Sequence, residues 1–422
     1  MPTDSTGGTA AADADAPPLG AVFWRLWTSS GLSNLADGVA KIALPLIAVQ
    51  FTRSPTLIAG LTFALTLPWL LFALPAGVLA DRLDRRRAMI GANLVRGSLF
   101  GALALAVLSD VASIWVLYLV ALGIGVAETI YDTSAQSILP QIVDRSLLSR
   151  ANGRLYAVEL TANDFVGPPL GGVLVAAGTV FAVAAPGALW VVALAALLLV
   201  PGRFRVERPS PNTMRADVAE GLRFLWRHRV LRTLALIVGG FNFASNAAFA
   251  LLVLYAVGPA SPMGLSEPAF GALLTSIALG SLLGSFLAEP VQRRLGRARA
   301  MTVGFLAGAL SIATPGFTTS PYLIATGFFI GGIGIVIANV VSVSLRQTIT
   351  PDRLLGRVNS GYRLLAWGSR PIGAATGGLL AEALDLQAVF LTMGALTIAL
   401  LIGMRVVTDH AMDTAEHDAD HT

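Results

Sequence analysis

The sequence predicts an all-α integral membrane protein of twelve transmembrane helices arranged as two parallel six-helix repeats. Three observations predict this. The 422 residues are 55% hydrophobic and only 13% charged, where a soluble chain carries about 25% charged residues. Twelve stretches approach the roughly 20 apolar residues that cross a hydrocarbon core as a helix. The two halves of the chain repeat one another in register.

In chain order the expected spans are 22–51, 57–79, 89–108, 114–131, 156–177, 181–200, 233–257, 270–288, 300–317, 321–343, 364–380 and 388–404. Lys and Arg are retained on the cytoplasmic side of short loops, so their distribution tests the count. The even-to-odd connections hold 23 arginines and the opposite connections hold only Arg53. A wrong number of spans would scramble that alternation. The expected topology therefore has both termini cytoplasmic, in a multi-pass protein of the cell (plasma or inner) membrane. The net charge of +4 is read as a topology signal and not as a nucleic-acid interface. Residues 1–20 are read as a disordered cytoplasmic tail, 21–201 as the first six-helix half, 232–406 as the second, and 407–422 as a disordered acidic tail. Between the halves, 202–231 is a Pro- and Arg-rich cytoplasmic linker, with an amphipathic helix marked by Val218, Leu222, Leu225 and Trp226 lying on the membrane surface.

The repeat shows in three places. Leu147 to Gly153 matches Leu354 to Ser360 at an offset of 207, Asp81 with Arg85 and Arg86 matches Glu289 with Arg293 and Arg294 at 208, and Gly167-x-x-x-Gly171-Gly172 matches Gly373-x-x-x-Gly377-Gly378 at 206. Parallel repeats of six spans joined by a cytoplasmic loop are a transporter architecture with the substrate site between the halves.

The run from Gly77 through Asp81, Arg82, Arg85 and Arg86 resembles the loop two-to-three motif of the major facilitator superfamily. The resemblance implies a cytoplasmic latch made of that acid and those arginines, echoed by Glu289 and Arg293. Gly167-Pro168-Pro169-Leu170-Gly171-Gly172 resembles the superfamily's fifth-helix motif, associated with exporters, although Asn163 stands where its first glycine is usual. The arginine expected in span four of the drug-antiporter branch is missing, with Leu119 and Ala121 in its place. Asp37, Arg96, Leu139-Pro140 with Val143, and Ala151-Asn152 instead resemble the branch of macrolide-efflux proteins and enterobactin exporters. Together these imply a secondary active transporter working by alternating access.

Ionisable groups at bilayer depth cost about 2.5–3.5 kcal/mol each on insertion scales and so face a partner or a cavity. They concentrate in the first half: Asp37, Lys41, Arg96, Glu128, Asp132 and Asp164, with Glu159 beside the last. Two readings stay open. Asp37–Lys41 and Arg96–Glu128 form fixed ion pairs that orient helices, or Asp37 or Glu128 exchanges a proton during the cycle. The candidates for a substrate pocket are Trp69, Phe241, Asn242, Asn246, Tyr362 and Arg370; an aromatic, apolar pocket suits an amphipathic organic solute.

The absences are as informative. Cysteine is missing, the four histidines fall outside the spans, and Lys41 is the one lysine, so a phosphate-binding loop that requires Gly-Lys is excluded. An intramembrane hydrolase lacks its usual nucleophile and base. No enzyme activity, cofactor or metal is expected. The expected partners are a small amphipathic molecule, a proton and the bilayer, with the protein acting as a monomer. The substrate alternatives are a siderophore or a lysolipid; the functional alternative is a transport-inactive sensor or scaffold.

Overall fold

The computed structural model describes residues 19–82, 84–204 and 214–420, without the side chains of 73–82, 145, 214–218, 352, 353, 419 and 420. Most of the tail expected at 1–20, and 205–213 of the linker, lie outside the described residues. The first half comprises α1 (Gly20–Phe51), α2 (Pro55–Arg82), α3 (Arg85–Leu108), α4 (Ile114–Ile138), α5 (Leu148–Leu160), α6 (Gly167–Ala177) and α7 (Thr179–Leu198). The linker helix α8 (Met214–Arg227) leads to the second half: α9 (Arg229–Phe249), α10 (Leu252–Ala256), α11 (Glu267–Leu295), α12 (Arg297–Phe317), α13 (Pro321–Ile349), α14 (Asp352–Ala383) and α15 (Leu386–Leu400). A last helix, α16, covers Asp409–Asp420.

Nine helices among the described residues are long and apolar enough to cross a bilayer. The other three expected spans are also helical and depart from that standard for visible reasons. Span five is α5 and α6 joined by a π-helical turn, Thr161–Val166, so neither piece spans alone. Span seven, α9, breaks at Ala250 and Leu251 before the short α10. Span eleven, α14, carries Arg357, Arg363 and Arg370. All three line the contact between the halves or the cavity within it, where lipid does not dictate composition.

The glycine repeat is a repeat of packing. A Cβ at Gly167 would lie 2.6 Å from the Gly38 Cα of α1, and one at Gly172 would lie 2.3 Å from the Glu267 carbonyl of α11. In the second half a Cβ at Gly377 would lie 2.3 Å from the Ala247 carbonyl of α9, and one at Gly378 would lie 2.7 Å from Ala59 Cβ of α2. In each half the first glycines let the fifth helix sit against the first helix of its own bundle. The last one brings it against the second helix of the other bundle. Small residues permit that close approach, which is the main source of helix cohesion where lipid removes the hydrophobic driving force.

The linker helix packs one face on the second half: Leu225 is fully buried, a Cβ at Gly361 would lie 3.1 Å from Leu222, and one at Gly221 would strike the Arg357 carbonyl of α14. One expectation is corrected. The acidic tail forms α16 where disorder was expected. Met412 and Ala415 are buried, the Asp409 carboxylate accepts from the Ala298 N–H at 2.8 Å at the start of α12, and Asp413 and Glu416 each pair with Arg297 at 2.5 Å. Carboxylates at a helix N-terminus satisfy free N–H groups and its dipole, which order a segment whose composition alone reads as solvated.

Candidate functional site

The centre of the first half is polar. Arg96 on α3 is fully buried, and its Nη1 donates to Asp37 Oδ2 on α1 at 3.4 Å and to Ser33 Oγ at 3.2 Å. Ser33 Oγ donates in turn to Asn93 Oδ1 at 3.2 Å. The guanidinium lies 5.0 Å from the Tyr131 ring centre and 5.9 Å from that of Trp190, so aromatic faces supply part of the electrostatic stabilisation that water would otherwise provide. Arg96 Nε and Nη2 have no hydrogen-bond partner among the described residues. A strong Arg–carboxylate pair is bidentate at about 2.7–2.9 Å; this one is single and long.

One turn along α1 from Asp37, Lys41 Nζ donates to Asn163 Oδ1 in the π turn at 3.0 Å. Asp37, Lys41 and Glu128 line a recess of about 10 Å³. Its wall residues Ala40, Lys41, Leu44 and Leu65 also line a larger cavity of about 310 Å³ between the halves. That cavity takes Lys41 from α1, Thr62 and Thr66 from α2, Asn246 from α9, Phe270 from α11 and Arg370 from α14. Its volume stands at the lower end of the roughly 300–1,000 Å³ of small-molecule sites, and most of its lining is aliphatic, with a few polar groups.

The halves meet on both sides of this cavity. At the end away from the termini, Arg53 Nη1 donates to the Val257 carbonyl at 3.2 Å, and Ser54 and Thr56 hydroxyls each donate to Glu382 Oε2 at 3.3 Å. Towards the terminal end, Trp69 and Trp367 stack edge to face with ring centres 4.7 Å apart. Arg363 lies over Trp367 and donates to Gln136 Oε1 at 3.3 Å.

A model of the transmembrane secretion effector family matches residues 13–421. The chain belongs to that family, within the major facilitator superfamily. The multidrug efflux pump Tap of Mycobacterium tuberculosis is 28% identical over 404 residues, covering 91% of this chain and 93% of that protein. The enterobactin exporter EntS of Salmonella typhimurium is 28% identical over 366 residues, covering 85% of each. Among solved structures, a bacterial homologue of the iron transporter ferroportin in an inward-facing state superposes with a TM-score of 0.70 at 18% identity, covering 91% of this chain and 98% of that one. The nucleoside transporter NupG gives 0.71 at 13% identity, covering 92% and 99%. These two likenesses show the fold. Family and fold are those of membrane transporters and not of enzymes.

Within this transporter the expected residues separate into groups. Asp37, Lys41, Arg96 and Glu128 come together, but the ion pair is Arg96–Asp37, not Asp37–Lys41 or Arg96–Glu128. Asp132 is half-buried one turn further along α4, and Asp164 is exposed on the π turn, apart from the buried pair. Asn246 and Arg370 line the cavity. Phe241 packs on Phe305, the Asn242 side chain donates to the Ala366 carbonyl, and the Tyr362 hydroxyl meets Ser342 under Arg346; these three bind the second half together and are not among the cavity's lining residues. Neither is Trp69. Gly77 lies in α2, and the side chains of Asp81 and Arg82 lie outside the described residues. Arg85 donates to the Ser137 carbonyl at 2.5 Å and Arg86 to those of Leu197 and Leu198, tying the start of α3 to the ends of α4 and α7. Glu289 and Arg293 form an exposed pair at 3.3 Å, a kind worth about 0–1 kcal/mol. Ser33, Asn93, Trp190 and Glu382 escaped the sequence reading, since each acquires its role from a partner far away in the chain; Asn163 stood out only as a departure from the fifth-helix motif. Arg53 carried a signal: it is the single arginine in the connections otherwise free of basic residues.

Proposed function

We propose that this chain exports amphipathic organic molecules from the cytoplasm in exchange for protons, by alternating access to the cavity between its halves. The observation that carries the reading is that this cavity, walled by both halves, adjoins the recess of Asp37, Lys41 and Glu128. A substrate in the cavity and a proton on a carboxylate beside it can then sense each other electrostatically. The long contact between Arg96 and Asp37 supports Asp37 as a group that releases its partner during the cycle, with Arg96 as its counter-charge. The arginine-rich connections supply the orientation, with both termini inside. The family description and the names of the relatives support the outward direction; the cytoplasmic latch of Asp81 and Arg85 is assigned from the motif alone, since Glu289 pairs with Arg293 within α11.

The test is a substrate panel in a bacterial host depleted of its own pumps, comparing accumulation with and without the gene and with an uncoupler. Expression is expected to lower accumulation of amphipathic compounds, and the uncoupler to restore it. In vesicles, Asp37→Asn and Glu128→Gln, singly and together, are expected to reduce transport driven by a pH gradient. Unchanged transport in all three variants would remove the proton-coupling assignment. Accumulation that never responds to the gene would favour a sensor or scaffold. A second reading, siderophore export, is favoured by the relative named as an enterobactin exporter; secretion of a siderophore by the expressing host distinguishes it.

A further inference from the structure

Among the described residues, the charged ones that line the larger cavity are Lys41 and Arg370, and none is a carboxylate. One belongs to each half. Neither forms an ion pair among the described residues: Lys41 Nζ reaches the neutral Asn163 Oδ1, and Arg370 stacks with its Cζ 5.1 Å from the Trp367 ring while its Nε is buried without a hydrogen-bond partner. Among the first-half carboxylates, Glu128 attracts Arg370 from a distance without forming an ion pair. Asp37 is engaged by Arg96, and Glu128 shares the recess on the Lys41 side. Two cations in an otherwise mostly aliphatic wall attract an anion more strongly than they would in water, and they repel a cation by the same physics.

We propose that the cavity selects amphipathic organic acids, the anionic group lying between Lys41 and Arg370 and the apolar body against α2, α9 and α11. Thr62, Thr66 and Asn246 supply neutral hydrogen-bonding groups along the same wall. An acid bridging the two cations ties one half of the protein to the other. The substrate itself then supplies an attraction between halves that an empty cavity of two like charges does not. This rests on the transport reading for its physiological meaning, but its test is a binding measurement and can fail separately.

The probes are three compounds on one skeleton: naphthylacetate, naphthylacetamide and naphthylethylammonium. Each is measured by equilibrium dialysis against the protein in lipid nanodiscs, with binding to empty nanodiscs subtracted. The acid is expected to bind roughly 10-fold more tightly than the amide, about what one charge-assisted hydrogen bond contributes, and the cation more weakly than the amide. Lys41→Gln and Arg370→Gln are each expected to erase most of the acid's advantage while the amide still binds; Arg370→Lys is expected to retain part of it. Amide binding reports that a variant is folded, and if either Gln variant loses it, the wild-type order of the three probes decides. Equal binding of the three, a preference for the cation, or an acid advantage untouched in folded variants overturns the proposal. An acid that binds as expected but is never moved across vesicles would overturn the export reading and leave this one standing.

Discussion

Arg96 is held at the centre of the first half by one carboxylate, one hydroxyl and two aromatic rings. Removing one member of a buried pair typically costs about 3–5 kcal/mol, because the survivor is left charged or must neutralise. Arg96→Gln is therefore expected to lower the melting temperature of the detergent-purified protein by several degrees, and the double change with Asp37→Asn to recover much of the loss. Equal loss in the single and double variants would show that Arg96 acts through its packing on Tyr131 and Trp190 instead. That Asp37 and Arg96 matter was legible in the sequence from their cost at bilayer depth. Their pairing was not: Lys41 was the nearest opposite charge to Asp37 along the helix, and only the packing of α1 on α3 brings together residues 59 positions apart. A further titrating group lies outside the spans. His228 caps α9 by accepting from the Leu231 N–H at 3.4 Å, and burial lowers its pKa from 6.5. Only the neutral ring can accept there. The cap's contribution is therefore present above the unfolded pKa and lost as pH falls through the lower folded value. His228→Asn, which caps without titrating, is expected to flatten that part of the pH–stability profile; a profile unchanged by the substitution would place the acid sensitivity elsewhere.

The fifth helix of each half shows how far a pattern can be read at the level of elements. Gly167, Gly171 and Gly172 announced close packing, and the offset to Gly373, Gly377 and Gly378 announced that it happens twice. Which neighbour each glycine meets depends on the crossing of α6 with α1 and α11, which no local sequence feature encodes. Gly172→Leu is expected to abolish transport, since its Cβ alone would lie 2.3 Å from the Glu267 carbonyl, whereas Gly153→Leu, with open space around its Cβ, is expected to be tolerated. Transport assays at matched membrane abundance separate the two, and normal activity of Gly172→Leu would mean that α6 and α11 need not touch during the cycle. The π turn inside span five was invisible for a different reason. Thr161–Val166 reads as ordinary helix, and its widened turn is tied to Asn163, whose backbone packs on Gly38 while its side chain takes Lys41. The tail misled through composition: five acids and two histidines in α16 look solvated until Arg297 and the start of α12 are seen beneath them.

At the scale of the whole molecule, the bilayer made the helical architecture legible through hydropathy, and arginine placement gives the expected orientation. The asymmetry between the halves was legible in part. Interior carboxylates gather in the first half as the sequence indicated, while the second half brings cations to the shared region: Arg370 lines the cavity and Arg363 bridges to Gln136 of α4. The seal by Arg53, Ser54, Thr56 and Glu382 at one end, and by Arg363 and Gln136 at the other, is what an alternating cycle must break in turn. The absence of native cysteine makes the direct measurement clean. Spin labels are placed on exposed positions in opposite halves, in one sample by Val111→Cys with Leu384→Cys at the end away from the termini, and in another by Leu199→Cys with Leu295→Cys at the terminal end. Distances are read in nanodiscs across a pH series and with a transported compound. Alternating access predicts that any condition lengthening one distance shortens the other, whereas two distances that stay fixed, or that lengthen together, would contradict it.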